Sequence, residues 1–564
     1  MEREAMPRAE IDPITLEIWW SRLVAIVDES ATTLLRTAFS TIIREANDYT
    51  VVLLNARGET VAECRAGIPA FAALMGVMTR HVLGKFPLDT WRAGDCVITN
   101  HPWIATGHLP DIAMLSPIFH RGELIGFAGT AAHAPDIGGT PTMGATELIS
   151  EGVLIPPVHM LRGGERNDGM LDLLLGNVRL PGQVLGDLEA QMAAHEVCRR
   201  RLTEFLEEIG EADLHAISDA VHAKSEQVMR RAIAAIPDGV YRASLDADGI
   251  EGQPTHIECA VTVAGDQMRI DYSGSSPQVR HAINCTINYT TAYSIYPVKI
   301  LLDPHTRRNE GSYKPITVTA PAGSIVNANF PAPVMARHLT GHLLSCVIYQ
   351  ALAAVLPEHI IADSGGAPAL RVQFSGETQE RQPFSLILFA SAGMGASSRH
   401  DGLATTAFPS NSGSGSIEAL EAVAPLLFVK KEYRTDSGGI GRHRGGLGQD
   451  IEVENIAGRP LRVVLLGDRE RHPALGVLGG GAGASARAEF GHGGVPSLKS
   501  ISPMPAGSRV RLSFAGGGGY GLPAQREREA IARDLDAGFI TAEAALRDYG
   551  FDLAAAEPAA AGGR

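Results

Sequence analysis

Apolar residues at Leu16, Trp19, Trp20, Leu23, Val24 and Val27 recur at helical spacing. Asp12 ahead of Pro13 supplies a capping carboxylate and a proline at the first helical position, so a helix is predicted from there to about Phe39. The period then changes. Val51-Val52-Leu53-Leu54 and Thr60-Val61-Ala62, joined through Gly58, predict a β-hairpin over 49–63. A second helix is predicted over 70–85. Strands are predicted at Cys96-Val97-Ile98, Ile112-Ala113-Met114-Leu115 and Leu124-Ile125-Gly126-Phe127, between loops rich in proline and glycine. Leu188, Met192, Val197, Leu202 and Leu206 form the stripe of a long helix over 187–209.

Pro237-Asp238-Gly239 marks a boundary, after which alternating patterns dominate. Two hairpins are predicted, over 256–272 through Gly265-Asp266 and over 450–466 around Gly458. Helical segments near 292–302 and 338–356 interrupt the strands, and a glycine-dense stretch begins near Ser391. A helical hairpin over 524–549, bent at Gly538, precedes an Ala/Gly-rich frayed end at 554–564. The pattern predicts an α/β mixed (α+β) chain with large mixed or antiparallel sheets, helical layers and glycine-rich loops. Three domains are expected: 1–236 with the candidate metal site, a central α/β domain over 237–390, and a glycine-rich β region with the helical hairpin over 391–564.

Length and charge narrow the function classes. The chain has 564 residues, several times a typical domain of roughly 150. Its 49 Lys and Arg against 63 Asp and Glu give a net charge of −14, which argues against a nucleic-acid or anionic-membrane partner. The six cysteines include no Cys-x-x-Cys pair, as expected for packed thiols in a reducing compartment. No apolar run approaches the ~18 residues of a membrane span, and Met1–Pro7 has no signal-like pattern, so a soluble cytoplasmic protein is expected. Glycine is the compositional outlier, with 62 residues; its clusters suggest tight turns. None forms a phosphate loop, since the Gly84-Lys85 pair is followed by Phe86, and Cys96 in its strand reads as a core thiol.

The densest set of candidate ligands is a doubled His-x-Pro-Asp: His108-Leu109-Pro110-Asp111 and His133-Ala134-Pro135-Asp136. The proline excludes a helix interior, and a flat strand would point residues three apart to opposite faces, so each pair belongs on a turn. With the strands beginning at Ile112 and Leu124 as antiparallel neighbours, both turns fall at the same end of one hairpin. Two imidazoles and a carboxylate there suit a catalytic divalent metal, Mn, Zn or Fe; the alternative is that each His-x-x-Asp is a structural hydrogen bond. Glu45 and Asp48, just after the first helix, are candidates for a metal-shell carboxylate or a general base; the alternative is a charged helix end paired with Arg44. Asp136 is a third candidate catalytic carboxylate.

Longer motifs surround these residues: Asn100-x-Pro102-x5-His108-Leu109-Pro110-Asp111, His133-x-x-Asp136-Ile137-Gly138-Gly139 and Ala145-Thr146-Glu147-x3-Glu151-Gly152-x2-Ile155-Pro156-Pro157. Others are Gly186-Asp187-Leu188-x-Ala190-Gln191, Tyr272-Ser273-Gly274-x-Ser276-Pro277-Gln278, Asp436-Ser437-Gly438-Gly439-x-Gly441 and Gly516-Gly517-Gly518-Gly519-Tyr520-Gly521. On these motifs the chain resembles the hydantoinase B/oxoprolinase family over nearly its whole length.

The resemblance implies a hetero-oligomer in which an A-type ATPase subunit phosphorylates the carbonyl of a cyclic amide. This chain, the B-type subunit, would complete ring opening of a hydantoin, oxoproline or related lactam, with ATP held by the partner. It implies metal ligation by His108, Asp111 and His133, with Glu45 matching a carboxylate near the centre. His101, where the family usually has aspartate, departs from the pattern, as does Trp103 for a common tyrosine. Two other functions follow from the same resemblance: the α subunit of an ATP-dependent acetone- or acetophenone-type carboxylase, and a non-catalytic scaffold for the A-type subunit. Gly107-His108-Leu109-Pro110-Asp111 looks more like the hydantoinase branch.

Overall fold

The computed structural model describes residues 11–140 and 144–552; the Ala/Gly-rich end expected to fray lies outside them. The chain forms two units. The first comprises residues up to Gly239, Thr262–Asp271 and Pro277–Arg337, and the second the remainder.

In the first unit α1 (Pro13–Thr37) starts at the expected cap, where the Asp12 carboxylate accepts hydrogen bonds from the amides of Ile14 and Thr15. A short α2 (Thr41–Arg44) leads into β1 (Tyr49–Asn55) and β2 (Thr60–Glu63), the expected hairpin. Next come α3 (Pro69–Lys85), β3 (Cys96–Thr99), β4 (Asp111–His120) and β5 (Glu123–His133). β6 (Val158–Arg162), β7 (Glu165–Arg166), α4 (Asp168–Leu175), α5 (Pro181–Ile209) and α6 (His215–Ala234) complete this run. α5 starts six residues before the predicted helix, with Pro181 at its first turn. No expectation covered α6.

Among the described residues this unit has an antiparallel seven-stranded sheet, ordered β2-β1-β5-β4-β3-β6-β7. Every residue of β1 is buried because helices cover both faces. On one face Val51, Leu53, Ala128 and Ala132 pack with Leu23, Val27 and Leu34 of α1 and with Cys198 and Leu202 of α5. Each such Leu or Val stabilises the fold by about 1.5–3 kcal/mol. The other face meets α3, where a Cβ on Gly129 would touch Met75 Cε at 2.9 Å. His133 has the parity of Gly129, so the end of β5 delivers it to the α3 side.

The long strands β8 (Gly239–Ile250) and β9 (Gln253–Ala264) follow, most of both belonging to the second unit. β10 (Gln267–Asp271) returns to the first unit, followed by α7 (Ile287–Leu302) and by β11 (Ile316–Thr319), which runs parallel to β10. The second unit contains two antiparallel four-stranded sheets. One is ordered β13-β12-β16-β18, from β12 (Arg371–Glu377), β13 (Pro383–Phe389), β16 (Leu461–Leu466) and β18 (Lys499–Met504); the other is β14-β15-β19-β17, from β14 (Leu426–Tyr433), β15 (Gln449–Asn455), β17 (Arg487–Phe490) and β19 (Arg509–Ser513). Phe374, Leu386, Val463, Ile451, Val510 and Leu512 belong to one apolar core shared by the two sheets. The hairpin predicted over 450–466 is therefore corrected. Its two strands exist, but the link through Gly458 carries the chain from one sheet to the other, so each edge finds a different partner.

The glycine clusters also differ from the expected turns. A Cβ on Gly445 would lie 1.9 Å from the Gly517 carbonyl oxygen, on Gly516 1.6 Å from that of Ser437, and on Gly519 2.0 Å from that of Ile440. None of these three has a left-handed φ. Backbone bonds Gly439 N–Gly517 O (2.8 Å), Gly517 N–Gly446 O (2.9 Å) and Gly519 N–Gly481 O (2.9 Å) stitch the segments together. These glycine segments thus lie with their peptide groups in contact, at separations that no side chain permits. The terminal hairpin, helices Arg528–Asp536 and Ala542–Tyr549, turns at Gly538 (φ 70°) as predicted.

Candidate metal centre

β4 and β5 pair with Asp111 directly opposite His133, so the hairpin register alone places a carboxylate beside an imidazole. His133 Nδ1 lies 2.8 Å from Asp111 Oδ1. His108 enters from the loop before β4 and puts Nε2 2.8 Å from the same oxygen. Its path needs Gly107, which has φ +97° and whose Cβ would sit 2.9 Å from Tyr289 Cβ and 3.0 Å from Arg337 Nε. Among the described residues, His108, Asp111 and His133 form a group with ligand atoms all within 4.8 Å of one another, and all three are buried.

The surroundings explain the electrostatics. The second Asp111 oxygen, Oδ2, takes the Arg337 guanidinium at 2.6 Å. Arg337 also donates from Nε to the Thr106 carbonyl and stacks on Tyr289 at 4.2 Å. Burial alone would raise the Asp111 carboxyl; the imidazoles bonded to it and the Arg337 charge hold it well below the usual carboxylate range. Burial, reinforced by the Arg337 charge, pushes His108 down to about 3, so its imidazole is neutral at physiological pH.

That neutrality tests whether the residues fit a cation. A neutral imidazole carries one proton, and His108 faces two acceptors: the Met335 carbonyl at Nδ1 (2.9 Å) and the Asp111 carboxylate at Nε2. One nitrogen lone pair therefore points at an acceptor oxygen. With the proton on Nδ1, the Nε2 lone pair and the anionic Oδ1 repel each other at 2.8 Å, and a cation between them reverses the sign of that interaction. Two nitrogens and one oxygen form the donor set of a borderline divalent metal, so the residues fit one.

The remaining candidates fall into different places. Asp48 follows Asn47, which takes a left-handed turn (φ 53°), and its buried carboxylate lies 3.7 Å from His133 Nδ1. Asp136 does not join the three ligands: its carboxylate accepts from the Gly138 amide (3.1 Å) and from Arg179 Nη1 (2.8 Å), fixing the turn after β5. Glu45 caps the end of α2, half-buried and outside the cluster. His101 accepts from the Trp103 amide and stacks on Phe330 at 5.9 Å, as part of an aromatic group with Trp103. Arg337 and Tyr289 were not anticipated. They lie far along the chain in segments without a recognisable motif, and only the fold brings them here.

The sequence profile of the hydantoinase B/oxoprolinase family matches residues 12–523. This chain belongs to the hydantoinase B/oxoprolinase family. It is 31% identical to the B component of a candidate D-/L-hydantoinase of Pseudomonas sp. (strain NS671), covering 97% of this chain and 96% of that protein. The crystal structure of the ATP-dependent caprolactamase from Pseudomonas jessenii superposes with a TM-score of 0.90 at 27% identity, over 97% of this chain and 98% of that one. Nucleotide-free acetone carboxylase shares the fold, with a TM-score of 0.85 at 21% identity, over 96% of this chain and 79% of that one. As a family member the chain has the mixed helix-and-strand fold with several antiparallel sheets expected from its sequence. No helix among the described residues is long and apolar enough to cross a membrane.

Proposed function

We propose that this chain is the B-type catalytic subunit of an ATP-dependent cyclic amide hydrolase, opening a hydantoin, oxoproline or related lactam ring. Its partner is an A-type subunit that binds ATP and activates the ring carbonyl by phosphorylation. The observation that carries the reading is the convergence of His108 Nε2 and His133 Nδ1 on Asp111 Oδ1, with no proton available for one of the His108 contacts. His108, Asp111 and His133 hold a divalent cation, Mn, Zn or Fe, with the Asp48 carboxylate at hand as a further oxygen donor. When bound, such a cation supplies Lewis-acid polarisation of oxygen at neutral pH.

The chain's own residues do the rest. Arg337 neutralises the outer oxygen of Asp111 and keeps the inner one aimed at the imidazoles. Asp48, a buried carboxylate beside His133, is placed to accept a proton from water at the centre. Asp136 acts by holding the turn that follows His133, through its bonds to Gly138 and Arg179. The names of the relatives support this reading, one as a component of a hydantoinase and one as a caprolactamase.

The test is a co-expressed complex supplied with ATP and a panel of hydantoins and lactams, together with metal analysis of the wild type, His108→Ala and His133→Ala. Ring opening by the wild type, and loss of both metal and turnover in the variants, is expected. Untouched rings combined with bicarbonate fixation onto a ketone would replace the hydrolase by the carboxylase. Equal metal content in all three chains would remove the metal centre.

A further inference from the structure

Glu151 lies in a chain segment separate from each ligand, and its side chain is 0% exposed. Its Oε1 accepts hydrogen bonds from two successive backbone amides, Val334 and Met335, each at 2.8 Å. The carbonyl of Met335, on the far side of that residue, is the group 2.9 Å from His108 Nδ1.

We propose that Glu151 is a positioning residue: by pinning the 334–335 peptide groups it fixes the Met335 carbonyl against His108 Nδ1, where it receives the imidazole proton when a cation at the centre takes the Nε2 lone pair. The metal-binding and tautomer parts of this inference rest on the metal centre proposed above; the pinning of the Met335 carbonyl does not.

The direction of each bond is decisive. The Met335 carbonyl and the Asp111 carboxylate both only accept, so the single proton of a neutral imidazole serves one of them, and a cation at Nε2 leaves that proton to Met335. A neutral imidazole then has its lone pair on Nε2, the nitrogen that faces Asp111 Oδ1. In metal sites a ligating histidine is commonly oriented by an acceptor on its other nitrogen. Here the acceptor is a main-chain carbonyl in a loop, and a loop carbonyl holds its place only if its peptide is held.

Glu151 does that holding for two ligands at once. Arg337, two residues beyond Met335, bonds through its own amide to the Val334 carbonyl (3.0 Å) and through its guanidinium to Asp111. A shift of the 334–335 peptides would thus move the acceptor for His108 and the anchor for Asp111 together.

Glu151 is itself fastened to the turn that leaves the third ligand. Thr140 N bonds to Ser150 O and Val153 N to Ile137 O, each at 2.9 Å. A Cβ on Gly139 would lie 2.5 Å from the Glu151 carbonyl carbon, so the two backbones abut. Asn100 adds a second tie, receiving the Ile155 amide on Oδ1 at 2.6 Å and donating from Nδ2 to the carbonyls of Leu109 (2.8 Å) and Val153 (2.9 Å). The segment 150–155 thereby joins the loop carrying His108, the turn after His133 and the 334–337 loop. Burial pushes the Glu151 carboxyl up to about 8, in keeping with a neutral group whose task is to accept two amides.

The experiment compares Glu151→Gln, Glu151→Asp and Glu151→Ala with the wild type in the full chain. Zn²⁺ and Mn²⁺ affinities are measured by titration of metal-stripped protein, and the His108 ring nitrogens by ¹⁵N NMR of histidine-labelled protein, assigned by their loss in His108→Ala. Gln keeps an oxygen at the Oε1 position, so Glu151→Gln is expected to bind within about threefold of the wild type. Asp draws that oxygen back by one methylene, and Ala removes it. Both are expected to bind about 10–100-fold more weakly.

In the Zn²⁺-loaded wild type and in Zn²⁺-loaded Glu151→Gln, His108 should be protonated on Nδ1; in Asp and Ala a mixture of ring states should appear. Should Glu151→Ala fail to fold, the Gln and Asp pair and the wild-type tautomer still decide. A Zn²⁺-loaded wild type with His108 protonated on Nε2, or Asp and Ala variants with the wild-type ring state and affinity, would overturn the proposal. A wild type that binds neither metal would overturn the proposed metal centre and this inference together, whereas unchanged binding in Asp and Ala would overturn this inference alone.

Discussion

Arg337 Nη2 and Asp111 Oδ2 meet at 2.6 Å, with both side chains almost wholly removed from solvent. The contact assigns Asp111's two oxygens to different tasks, one holding a fixed cation and the other shared by two imidazoles. Replacing Arg337 by Gln would leave an uncompensated buried carboxylate, a change that costs about 3–5 kcal/mol. Thermal denaturation of the metal-free Arg337→Gln chain should show that loss, and added Zn²⁺ should recover part of it by supplying the missing positive charge. Arg337→Lys should fall between, since it keeps the charge but loses the planar contact with Tyr289. Identical melting of all three chains would contradict this account.

Gly107→Ala tests the entry of His108 into the site. A left-handed non-glycine backbone costs of order 1–3 kcal/mol, and the added Cβ would also press on Tyr289 and Arg337. Reduced stability and at least tenfold weaker Zn²⁺ binding are expected from calorimetric titration. Gly84→Ala is the control: its Cβ would meet nothing within 4 Å, inside helix α3, so a gain of about 0.5–1 kcal/mol is expected with unchanged metal affinity.

Glu151 gives the stability of the chain a pH dependence with a defined sign. The folded chain keeps this group protonated up to about 8, whereas the unfolded chain releases the proton near 4.5. Between those values the folded state binds more protons, so the contribution is complete below about 4.5 and is lost as pH rises towards 8. Denaturant titrations of metal-free protein at several pH values should therefore show a steeper decline for the wild type than for Glu151→Gln. Parallel curves would be inconsistent with a buried neutral acid.

A fourth prediction concerns the second unit alone. Asp534 is buried between Arg444 (2.9 Å) and Arg526 (2.6 Å), and Arg526 also pairs with Asp401 at 2.7 Å. Asp534→Ala should destabilise this unit by about 3–5 kcal/mol, because two guanidinium groups lose their shared partner. Metal content should stay at the wild-type level, which limited proteolysis and metal analysis of the same sample would establish.

What could be read ahead of the fold was what is local. The two strands flanking the His-x-Pro-Asp pairs have clear patterns, and a hairpin automatically brings the start of one strand to the end of the other. The meeting of Asp111 with His133 therefore follows from two short windows of sequence. Asp136 looked equivalent to Asp111 by motif, yet Arg179 captures it, and no pattern near Asp136 announces that arginine. Arg337 is 226 residues from Asp111, and nothing in its own neighbourhood predicts burial. The strands around Gly458 were visible as strands, but their partners were not, because each completes a sheet with segments far away in the chain.

The glycine segments of the second unit give its interior two thermal characters. Where Phe374, Val463 and Leu512 pack, unfolding exposes hydrocarbon and raises the heat capacity. Where Gly445 lies on Gly517, unfolding exposes peptide groups, which lowers it. The stability of this unit should therefore curve less with temperature than that of an all-hydrocarbon sandwich of equal size, and its stitched glycine amides should exchange with solvent hydrogen slowly despite having no side chains to shield them.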